Sequence, residues 1–423
     1  MVPTATFAAH EYGFSPASIW AARRAVRRPA VPATATAWPA APKLQPRNFP
    51  SDDAVAAAQP DPALETLLLP FVGGQLTWPE AGGALFLRAR DGWPLHQQPL
   101  PGLVAEQSFK PDAQALQQAG IPLVEPGDTT TYPLVLVLPP RQRDEARALF
   151  ARAVALTAPG GRVVACVTNN EGARSAQDDL GKLAGPVGSL TKNKSRVFWT
   201  APLSGPADAT LAAQWLDLDA VRPIGDGRFL SRPGVFAWDR IDPASALLAA
   251  HLPKDLAGRA ADLGAGFGYL AVQLLANCPG ITALDLYEAE ARALDLARRN
   301  LAAFETKAAL GYHWHDVTAG LEAQYDVIVS NPPFHTQSRA DRPDIGRRFI
   351  AVAAAALKPG GRLWLVANRH LPYEAVLNES FGAVRVVTQH DGFKVVEAVK
   401  AMPVKPVRAP KGFDRVAERS KHR

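Results

Sequence analysis

Residues 262–268 combine an acid with a glycine-rich turn. Asp262 is followed by Gly264, Gly266 and Gly268 at alternate positions, after an apolar run and before a helix-like segment. Such a turn lets a ligand approach the backbone closely, and a helix N-terminus attracts negative charge. Dinucleotide-binding loops have the spacing G-x-G-x-x-G, whereas this loop is G-x-G-x-G. The spacing favours S-adenosylmethionine, whose carboxylate suits the helix and whose ammonium suits Asp262; a tight turn without ligand is the alternative.

Two further acids follow the next predicted strands. Asp285 is expected to end the strand that begins at Ile281, where a carboxylate accepts hydrogen bonds from both ribose hydroxyls of the cofactor. Asp316 falls in the loop after the following strand, where recognition of the adenine amine is expected. Taken singly, Asp285 also fits a helix cap, and Asp316 fits an acid on a solvent-exposed loop.

The segment Asn331-Pro332-Pro333-Phe334 follows the predicted strand 327–330, at the edge where open α/β sheets bind ligands. Prolines donate no hydrogen bond, and a residue before proline is held extended, so carbonyl groups here can face a pocket. The Asn331 side-chain oxygen and the Pro332 carbonyl can accept both N–H bonds of a planar amine and stabilise the charge that develops on its nitrogen. The Phe334 ring offers a stacking surface for a flipped-out base. N-methylation is therefore predicted; a plain loop with a buried Phe is the alternative.

Three further residues are predicted to face the substrate. His335 follows the motif directly, although a solvent-exposed loop histidine fits its position equally well. Arg369 and Tyr373 follow the predicted strand 363–366, so they are expected at the same ligand-binding edge.

These residues need a sheet that brings the ends of their strands to one edge. Over residues 228–402, apolar runs alternate with helical segments, and a final pair of runs, 384–388 and 394–399, is separated by a short turn. The pattern predicts a doubly wound α/β sheet that ends in an antiparallel hairpin. Residues 54–200 show the same α/β alternation, and residues 201–227 are interpreted as the connection.

An internal repeat relates the two halves. Residues 132–140 (YPLVLVLPP) resemble residues 325–333 (YDVIVSNPP), and a PGGR segment recurs downstream in both copies. Leu138 stands where the second copy has Asn331, and no G-x-G-x-G loop precedes it. We therefore predict two tandem Rossmann-like methyltransferase domains, of which the first is degenerate and has lost both the cofactor site and the chemistry.

The positive charge of the chain is concentrated at its ends. The formal net charge is +6, but residues 1–50 and 403–423 each carry +5, which leaves about −4 for residues 51–402. General attraction to nucleic acid must therefore come from the ends or from a local patch. Residues 1–53, rich in Ala and Pro, are predicted to be a disordered basic extension, with a transit peptide as the alternative, and residues 403–423 a basic tail.

Composition excludes some classes of protein. No apolar run reaches the roughly 18 residues that span a bilayer, so a membrane protein is not expected. Cys166 and Cys278 lie far apart and form no CxxC or Cys/His cluster, so neither a disulfide framework nor a metal site is predicted. A cytoplasmic monomer is the expectation.

Taken together, these segments resemble the bacterial ribosomal-RNA guanine-N2 methyltransferases, which act on small-subunit or large-subunit RNA. The matching segments are Pro233-Gly-Val-Phe236 with Asp242, Asp262 to Gly268, Asn331-Pro-Pro-Phe-His335, Asn368 with Leu371-Pro-Tyr373, and Phe381-Gly with Gly392-Phe-Lys394. The resemblance covers residues 227–400, with a fainter likeness over 64–200. It implies a tandem of two methyltransferase-like domains, the first degenerate. It also implies that Asn331 and Phe334 hold the guanine, and that the cofactor is held by Asp262, Gly264, Asp285 and Asp316.

The resulting hypothesis is an S-adenosylmethionine-dependent enzyme that methylates the N2 amine of a guanosine in ribosomal RNA, with small-subunit RNA as the expected substrate. Ribosomal RNA or a ribosomal subunit is the expected partner. One alternative is a methyltransferase for a protein glutamine or another planar amide, because the Asn-Pro carbonyl pair suits either amine. Another is a non-enzymatic RNA-binding assembly factor, against which the intact Asp262, Gly264, Gly266 and Asn331 argue.

Overall fold

The computed structural model describes residues 61–333 and 343–403. The predicted extension and nearly all of the predicted basic tail lie outside these ranges. Within them, no helix is long and apolar enough to cross a membrane, and no group of three or more His, Cys, Asp or Glu side chains is placed to hold a metal ion. Cys166 and Cys278 are both buried and free.

The first α/β unit is built on a six-stranded sheet. Its strands are β1 (Ala84–Leu87), β2 (Leu103–Glu106), β3 (Tyr132–Val137), β4 (Thr157–Thr168), β5 (Val187–Lys192) and β6 (Ser195–Thr200). In space they are ordered β2-β1-β3-β4-β6-β5; the first four are parallel, and β6 runs antiparallel to β4 and β5. The helices are α1 (Pro62–Leu67), α2 (Leu69–Val72), α3 (Lys110–Gln118), α4 (Arg143–Ala155) and α5 (Ala173–Ala184). Apolar clusters cover both faces of the sheet, as a parallel sheet requires.

The connection between the units is more ordered than its Pro- and Gly-containing sequence indicates. It contains helix α6 (Ala209–Asp217), which buries Ala212 and Trp215 against the first unit. A short hairpin follows, formed by β7 (Arg222–Ile224) and β8 (Phe229–Ser231). Phe229 in this hairpin packs against the second unit, so the two parts of the connection belong to different cores.

The second unit is built on a seven-stranded sheet. Its strands are β9 (Ala257–Leu263), β10 (Gly280–Glu288), β11 (Ala309–Trp314), β12 (Tyr325–Ser330), β13 (Leu357–Asn368), β14 (Ala383–His390) and β15 (Phe393–Val399). Their spatial order is β11-β10-β9-β12-β13-β15-β14, and β14 and β15 form the predicted antiparallel hairpin. The helices are α7 (Pro243–His251), α8 (Tyr269–Asn277), α9 (Ala291–Leu301), α10 (Pro343–Ala356) and α11 (Glu374–Ser380). Apolar clusters again cover both faces.

The two sheets confirm the internal repeat. The order β2-β1-β3-β4-β6-β5 recurs as β10-β9-β12-β13-β15-β14, with β11 as an additional edge strand in the second unit. The registers also agree, because Leu134 pairs with Arg162 in the first sheet as Val327 pairs with Arg362 in the second, each directly after a register shift. The prediction of two tandem Rossmann-like units is therefore confirmed.

The topology determines where a ligand can bind the second unit. The chain runs outward from β9 to β10 on one side and continues at β12 on the other, so β9 and β12 flank the point at which the strand order reverses. Open α/β sheets bind ligands in the crevice beyond the carboxyl ends of such strands. The glycine loop follows β9 and Asn331 follows β12, so both lie at this crevice.

Candidate functional site

The glycine loop joins β9 to α8 through left-handed backbone conformations. Gly264, Gly266 and Gly268 have φ values of +76°, +55° and +88°, which side chains with a Cβ rarely adopt. A Cβ at Gly266 would meet none of the described residues within 4 Å, whereas one at Gly268 would lie 2.8 Å from the Leu301 side chain. The loop therefore leaves open space at Gly266 and brings α8 and α9 into close contact at Gly268.

Asp262 is a buried carboxylate at the end of β9. It is 0% exposed, and neither of its oxygens has a hydrogen-bond partner among the described residues. Burial is the main reason why the pKa of Asp262 is raised to about 8, and the negative charge of Glu288 raises it further. The backbone N–H of Ala271 acts in the opposite direction and is the smallest of the three effects. An unpaired buried carboxylate is costly, so this group is suited to a cationic ligand that supplies the missing hydrogen bonds.

Glu288 is the last residue of β10, whereas the sequence predicts that Asp285 ends this strand. One carboxylate oxygen of Glu288 accepts a hydrogen bond from the Gly266 N–H at 2.7 Å, and the other accepts one from the Glu290 N–H at 2.8 Å. Burial is the main cause of a raised pKa at Glu288. The side chain thus lies against the glycine loop, and sequence reasoning missed it because the strand was predicted to stop too early.

The prediction that Asp285 ends the strand is wrong. Strand β10 continues for three residues beyond it, which places Asp285 about 10 Å from the carboxyl end at roughly 3.3 Å per residue. Its carboxylate accepts hydrogen bonds from Arg259 at 2.6 Å, Tyr325 at 2.9 Å and His313 at 3.1 Å. Burial opposes ionisation, but these hydrogen bonds hold the pKa of Asp285 below its usual value. The group is thus satisfied within the fold.

Asp316 lies beyond the end of β11, at the same edge as Glu288. One of its carboxylate oxygens accepts from the N–H and the hydroxyl of Thr318, at 2.8 and 2.7 Å, and caps the short 3₁₀ helix Val317–Ala319. The capping role and a location at the ligand edge are compatible. Recognition of adenine by Asp316 stays a prediction.

Asn331 is held by two residues near the start of α7. Its side-chain NH₂ group donates to Asp242 Oδ2 and to Ser245 Oγ, both at 2.9 Å, while Asp242 also caps α7 through the Ser245 N–H. Because an ionised carboxylate only accepts hydrogen bonds, this arrangement fixes which way the amide faces. The Asn331 Oδ1 atom is buried and has no partner among the described residues. Within the described residues, the Asn331 oxygen is therefore an oriented acceptor that is free to bind a ligand donor.

A single pocket contains both the glycine loop and Asn331. Its lining includes Phe236, Asp242, Ser245, Gly264, Gly266 and Asn331. Phe236 is 61% exposed, which is unusual for a ring of this size, and the next residue, Ala237, has a φ of +51°. Strained backbone of this kind tends to occur at functional sites. Long-range packing brings Asp242, Ser245 and Phe236 next to Asn331, so the local sequence does not show that they line its pocket.

Tyr373, which the sequence predicts to face the substrate, is a core residue instead. It is 0% exposed and packs within the apolar cluster beneath α10, where its hydroxyl lies against Gly346. Burial accordingly raises the pKa of Tyr373 to about 12. Tyr373 belongs to the same buried cluster as Leu371 and Leu377. The spacing of apolar residues in this short segment does not indicate that the tyrosine is part of the core.

The remaining predicted residues stay predictions. Arg369 is exposed just beyond the end of β13, where its backbone N–H donates to Gly392 in the final hairpin. Pro332 is buried next to Asn331. Phe334 and His335 lie outside the described residues.

Comparison with known proteins assigns the chain to a family. The model of the methyltransferase small domain matches residues 226–397. A ribosomal RNA small subunit methyltransferase C from Shewanella amazonensis is 32% identical over 265 residues, which cover 62% of this chain and 76% of the relative. Its namesake from Shewanella pealeana is 31% identical over 274 residues, which cover 64% and 78%.

A solved structure is similar over nearly the whole described chain. It is the T. thermophilus 16S rRNA N2 methyltransferase RsmC in complex with AdoMet and guanosine, with a TM-score of 0.66 and 26% identity. The match covers 80% of this chain and 92% of that one, so it includes both α/β units. Together with the crevice that joins a glycine loop to an oriented asparagine, these similarities show that the chain belongs to the ribosomal RNA small subunit methyltransferase C family.

Proposed function

We propose that this protein transfers a methyl group from S-adenosylmethionine to the exocyclic N2 amine of a guanosine in small-subunit ribosomal RNA. The observation that carries the proposal is the Asn331 Oδ1 atom in the pocket that contains the glycine loop, where it is buried, oriented and without a hydrogen-bond partner among the residues that the structure describes. The names of the curated relatives and the AdoMet and guanosine bound by the similar solved structure support the same reaction.

The described residues fit S-adenosylmethionine. The Asp262 carboxylate, which has no hydrogen-bond partner in the described part of the chain, suits the ammonium of the amino-acid end, and the N–H groups at the start of α8 suit its carboxylate. We assign the ribose hydroxyls to Glu288 in place of Asp285, because Glu288 lies at the end of β10 and against Gly266. When bound, the cofactor supplies a methyl group on a positively charged sulfur.

The amine is oriented by Asn331 and the following proline. Its lone pair is delocalised into the base, so it is a poor nucleophile until it is held in line with the methyl donor. Asn331 Oδ1 and the Pro332 carbonyl accept its two N–H bonds and stabilise the positive charge that develops on nitrogen. The nitrogen lone pair forms the N–C bond, the electron pair of the broken C–S bond stays on sulfur, and the extra proton then leaves to solvent. Phe334 is proposed as the stacking surface.

We propose that the second unit alone contains the active site. By sheet register, Phe86 in the first unit stands where the second has Asp262, and Arg88 stands where it has Gly264. Arg88 keeps the left-handed conformation, with a φ of +53°, but it carries a side chain where the second unit has a glycine, and that side chain donates to Glu145. With Leu138 in place of Asn331, the first unit has neither the cofactor carboxylate nor the amine acceptor.

The role of Asp242 can be tested by Asp242→Ser. Serine still caps α7 but is too short to reach the Asn331 amide, so we expect the methylation rate to fall by up to about 100-fold through loss of orientation. Cofactor affinity should stay close to wild type. Single-turnover methylation and calorimetric titration measure the two effects separately.

The matched control is Asp208→Ser, which alters the same kind of cap on α6, another nine-residue helix. Asp208 accepts from the Leu211 N–H at 2.9 Å, and its helix packs against the first unit, whereas the pocket lies in the second. If both variants lose activity equally, helix capping rather than orientation of Asn331 explains the effect.

The cellular substrate is tested by nucleoside analysis of small-subunit ribosomal RNA from a deletion strain. We expect the strain to lose one N2-methylguanosine, the wild-type gene to restore it, and the Asn331→Ala gene not to restore it. An unchanged nucleoside profile would overturn the proposed substrate. A cytoplasmic location follows from such a substrate and is part of the proposal.

A further inference from the structure

The ligand-binding edge of the first sheet, which has lost its own site, contacts the second unit next to Glu288. Directly after β2, the chain pairs with the start of α9 in an isolated antiparallel bridge. The Lys110 N–H donates to the Ala289 carbonyl at 2.8 Å, and the Ala291 N–H donates to the Ser108 carbonyl at 2.9 Å. The backbone around Glu290 is thus bonded to the first unit on both sides.

Trp314, the last residue of β11, closes this contact. Its indole N–H donates to the carbonyls of both Ser108 and Ala289, at 2.9 and 2.8 Å. The ammonium of Lys110 lies 4.3 Å from the centre of the Trp314 ring. Trp314 belongs to the edge strand β11, so the bridge is supported by the edge of the second sheet as well as by the segment that leads into α9.

Glu145, at the start of α4, makes a second contact with the same segment. It is 7% exposed and accepts from Arg292 at 2.9 Å and from Arg88 at 3.3 Å. Arg292 also donates to Glu290 at 2.9 Å, so one guanidinium joins an acid of each unit. A Cβ at Gly234 would lie 2.3 Å from a Glu145 oxygen, so Glu145 also packs against the loop that leads to Phe236.

The contacted segment is the one that orients Glu288. Of the two backbone N–H groups that hold the Glu288 carboxylate, one belongs to Glu290, at 2.8 Å, and the other to Gly266. Moving the backbone at Glu290 would therefore move a direct hydrogen-bond donor of the proposed ribose-binding acid. Arg88, which stands at the position of the lost glycine loop, is part of the same contact.

We propose that the first unit, through Glu145 and residues 108–110, positions the segment 289–292 and thereby holds Glu288 in the geometry that binds the cofactor ribose. Its former ligand-binding edge has become a rigid support for the cofactor site of the second unit. Glu145 is a positioning residue in this scheme. The inference rests on the proposed function, because it requires Glu288 to bind S-adenosylmethionine.

The test compares Glu145→Gln with Asp179→Asn in the full chain. Asp179 is also a buried carboxylate between two arginines, Arg143 and Arg147, but it lies within the first unit. We expect Glu145→Gln to weaken cofactor binding by about 3- to 30-fold and to leave turnover at saturating cofactor near wild type. Asp179→Asn should lower the melting temperature without changing cofactor affinity.

A second pair of variants covers the case in which Glu145→Gln does not fold. Lys110→Pro removes only the backbone donor to Ala289 and the side chain, at a first helical position where proline is tolerated. Lys110→Ala removes the side chain but keeps the donor. The proline variant should bind the cofactor several-fold more weakly than the alanine variant.

The outcomes separate this inference from the function on which it rests. If the wild-type chain does not bind S-adenosylmethionine in the titration, the proposed function fails. If the wild type binds S-adenosylmethionine and both Glu145→Gln and Lys110→Pro bind it with wild-type affinity, the first unit has no influence on the cofactor site and the inference is overturned. A fall in melting temperature with unchanged affinity would also overturn it, because it would show a structural role only.

Discussion

Asn331→Ala is expected to lower the rate of methyl transfer by about 10²- to 10³-fold, the usual cost of losing one preorganised group that stabilises transition-state charge. The Asn331 oxygen has no other partner among the described residues, so its hydrogen bond to the amine should strengthen as nitrogen becomes positive. Cofactor affinity should change little, because Asp262 and Glu288 determine it. Single-turnover methylation of ribosomal RNA and calorimetric titration measure the two quantities.

The control for this variant is Asn169→Ala, which removes an exposed asparagine that follows a strand of the first sheet. It should be fully active. Circular dichroism establishes that both variants are folded. A folded Asn331→Ala enzyme with wild-type turnover would show that the amine is not held by this residue.

Asp262→Asn is expected to weaken S-adenosylmethionine binding by about 30- to 5,000-fold, corresponding to the roughly 2 to 5 kcal/mol lost when one member of a buried charge pair is removed. The ammonium of the cofactor would then lose the carboxylate proposed to bind it, at a position that is fully buried. The same change should stabilise the ligand-free protein relative to wild type, increasingly as pH rises from about 4 towards 8, since it removes a carboxyl group whose ionisation the fold opposes. Calorimetry measures the affinity, and thermal melts without ligand measure the stability.

The pH dependence follows from the raised pKa of Asp262, about 8. Between the ordinary carboxyl pKa near 4 and this value, the folded chain keeps a proton that the unfolded chain releases, so this group makes stability fall as pH rises through that window. Cofactor binding needs the ionised form, so affinity should rise by up to about tenfold per pH unit from pH 6 towards 8.

Asp262→Asn removes the contribution of this carboxyl group to the pH dependence of stability and of cofactor affinity. The contribution of Glu288, whose pKa is also raised, stays in place. The difference between wild type and variant therefore isolates Asp262. Parallel affinity profiles for the two proteins would refute the assignment of the ammonium to Asp262.

The glycine loop and Asn331 could be located from sequence because local chemistry specifies them. Alternate glycines after an apolar run require a left-handed turn, and a residue before two prolines is forced into extended geometry at a strand end. The repeat was also readable, since two copies of one strand pattern predict two similar sheets. The glycine loop and the Asn-Pro-Pro motif are each contained in a few consecutive residues, so neither signal depends on distant packing.

The exchange of Asp285 for Glu288 shows where sequence reasoning fails. An acid after the apolar run 281–284 indicates the end of a strand, but Asp285 accepts hydrogen bonds from Arg259, His313 and Tyr325 on three other strands of the sheet, and its own strand continues. Which acid reaches the crevice is decided by these long-range partners. The same is true of Asp242, which lies 89 residues from the asparagine that it orients.

Tyr373 illustrates the opposite error. A tyrosine beyond a strand end is compatible with a binding site or with a core, and only its complete burial beneath α10 distinguishes the two. The contact between the units could not be anticipated either, because Glu145 and Arg292 lie 147 residues apart and neither belongs to a recognisable motif.

Transfer of the methyl group is measured by incubating the purified chain with S-adenosylmethionine labelled in its methyl group and small-subunit ribosomal particles or RNA from the deletion strain. After digestion to nucleosides, we expect the label in N2-methylguanosine; prior ribonuclease treatment should abolish it, and Asn331→Ala should reduce it by at least about 100-fold. Label in a ribonuclease-resistant protein fraction, or in a nucleoside other than N2-methylguanosine, would show that the methyl acceptor is not the N2 amine of guanosine.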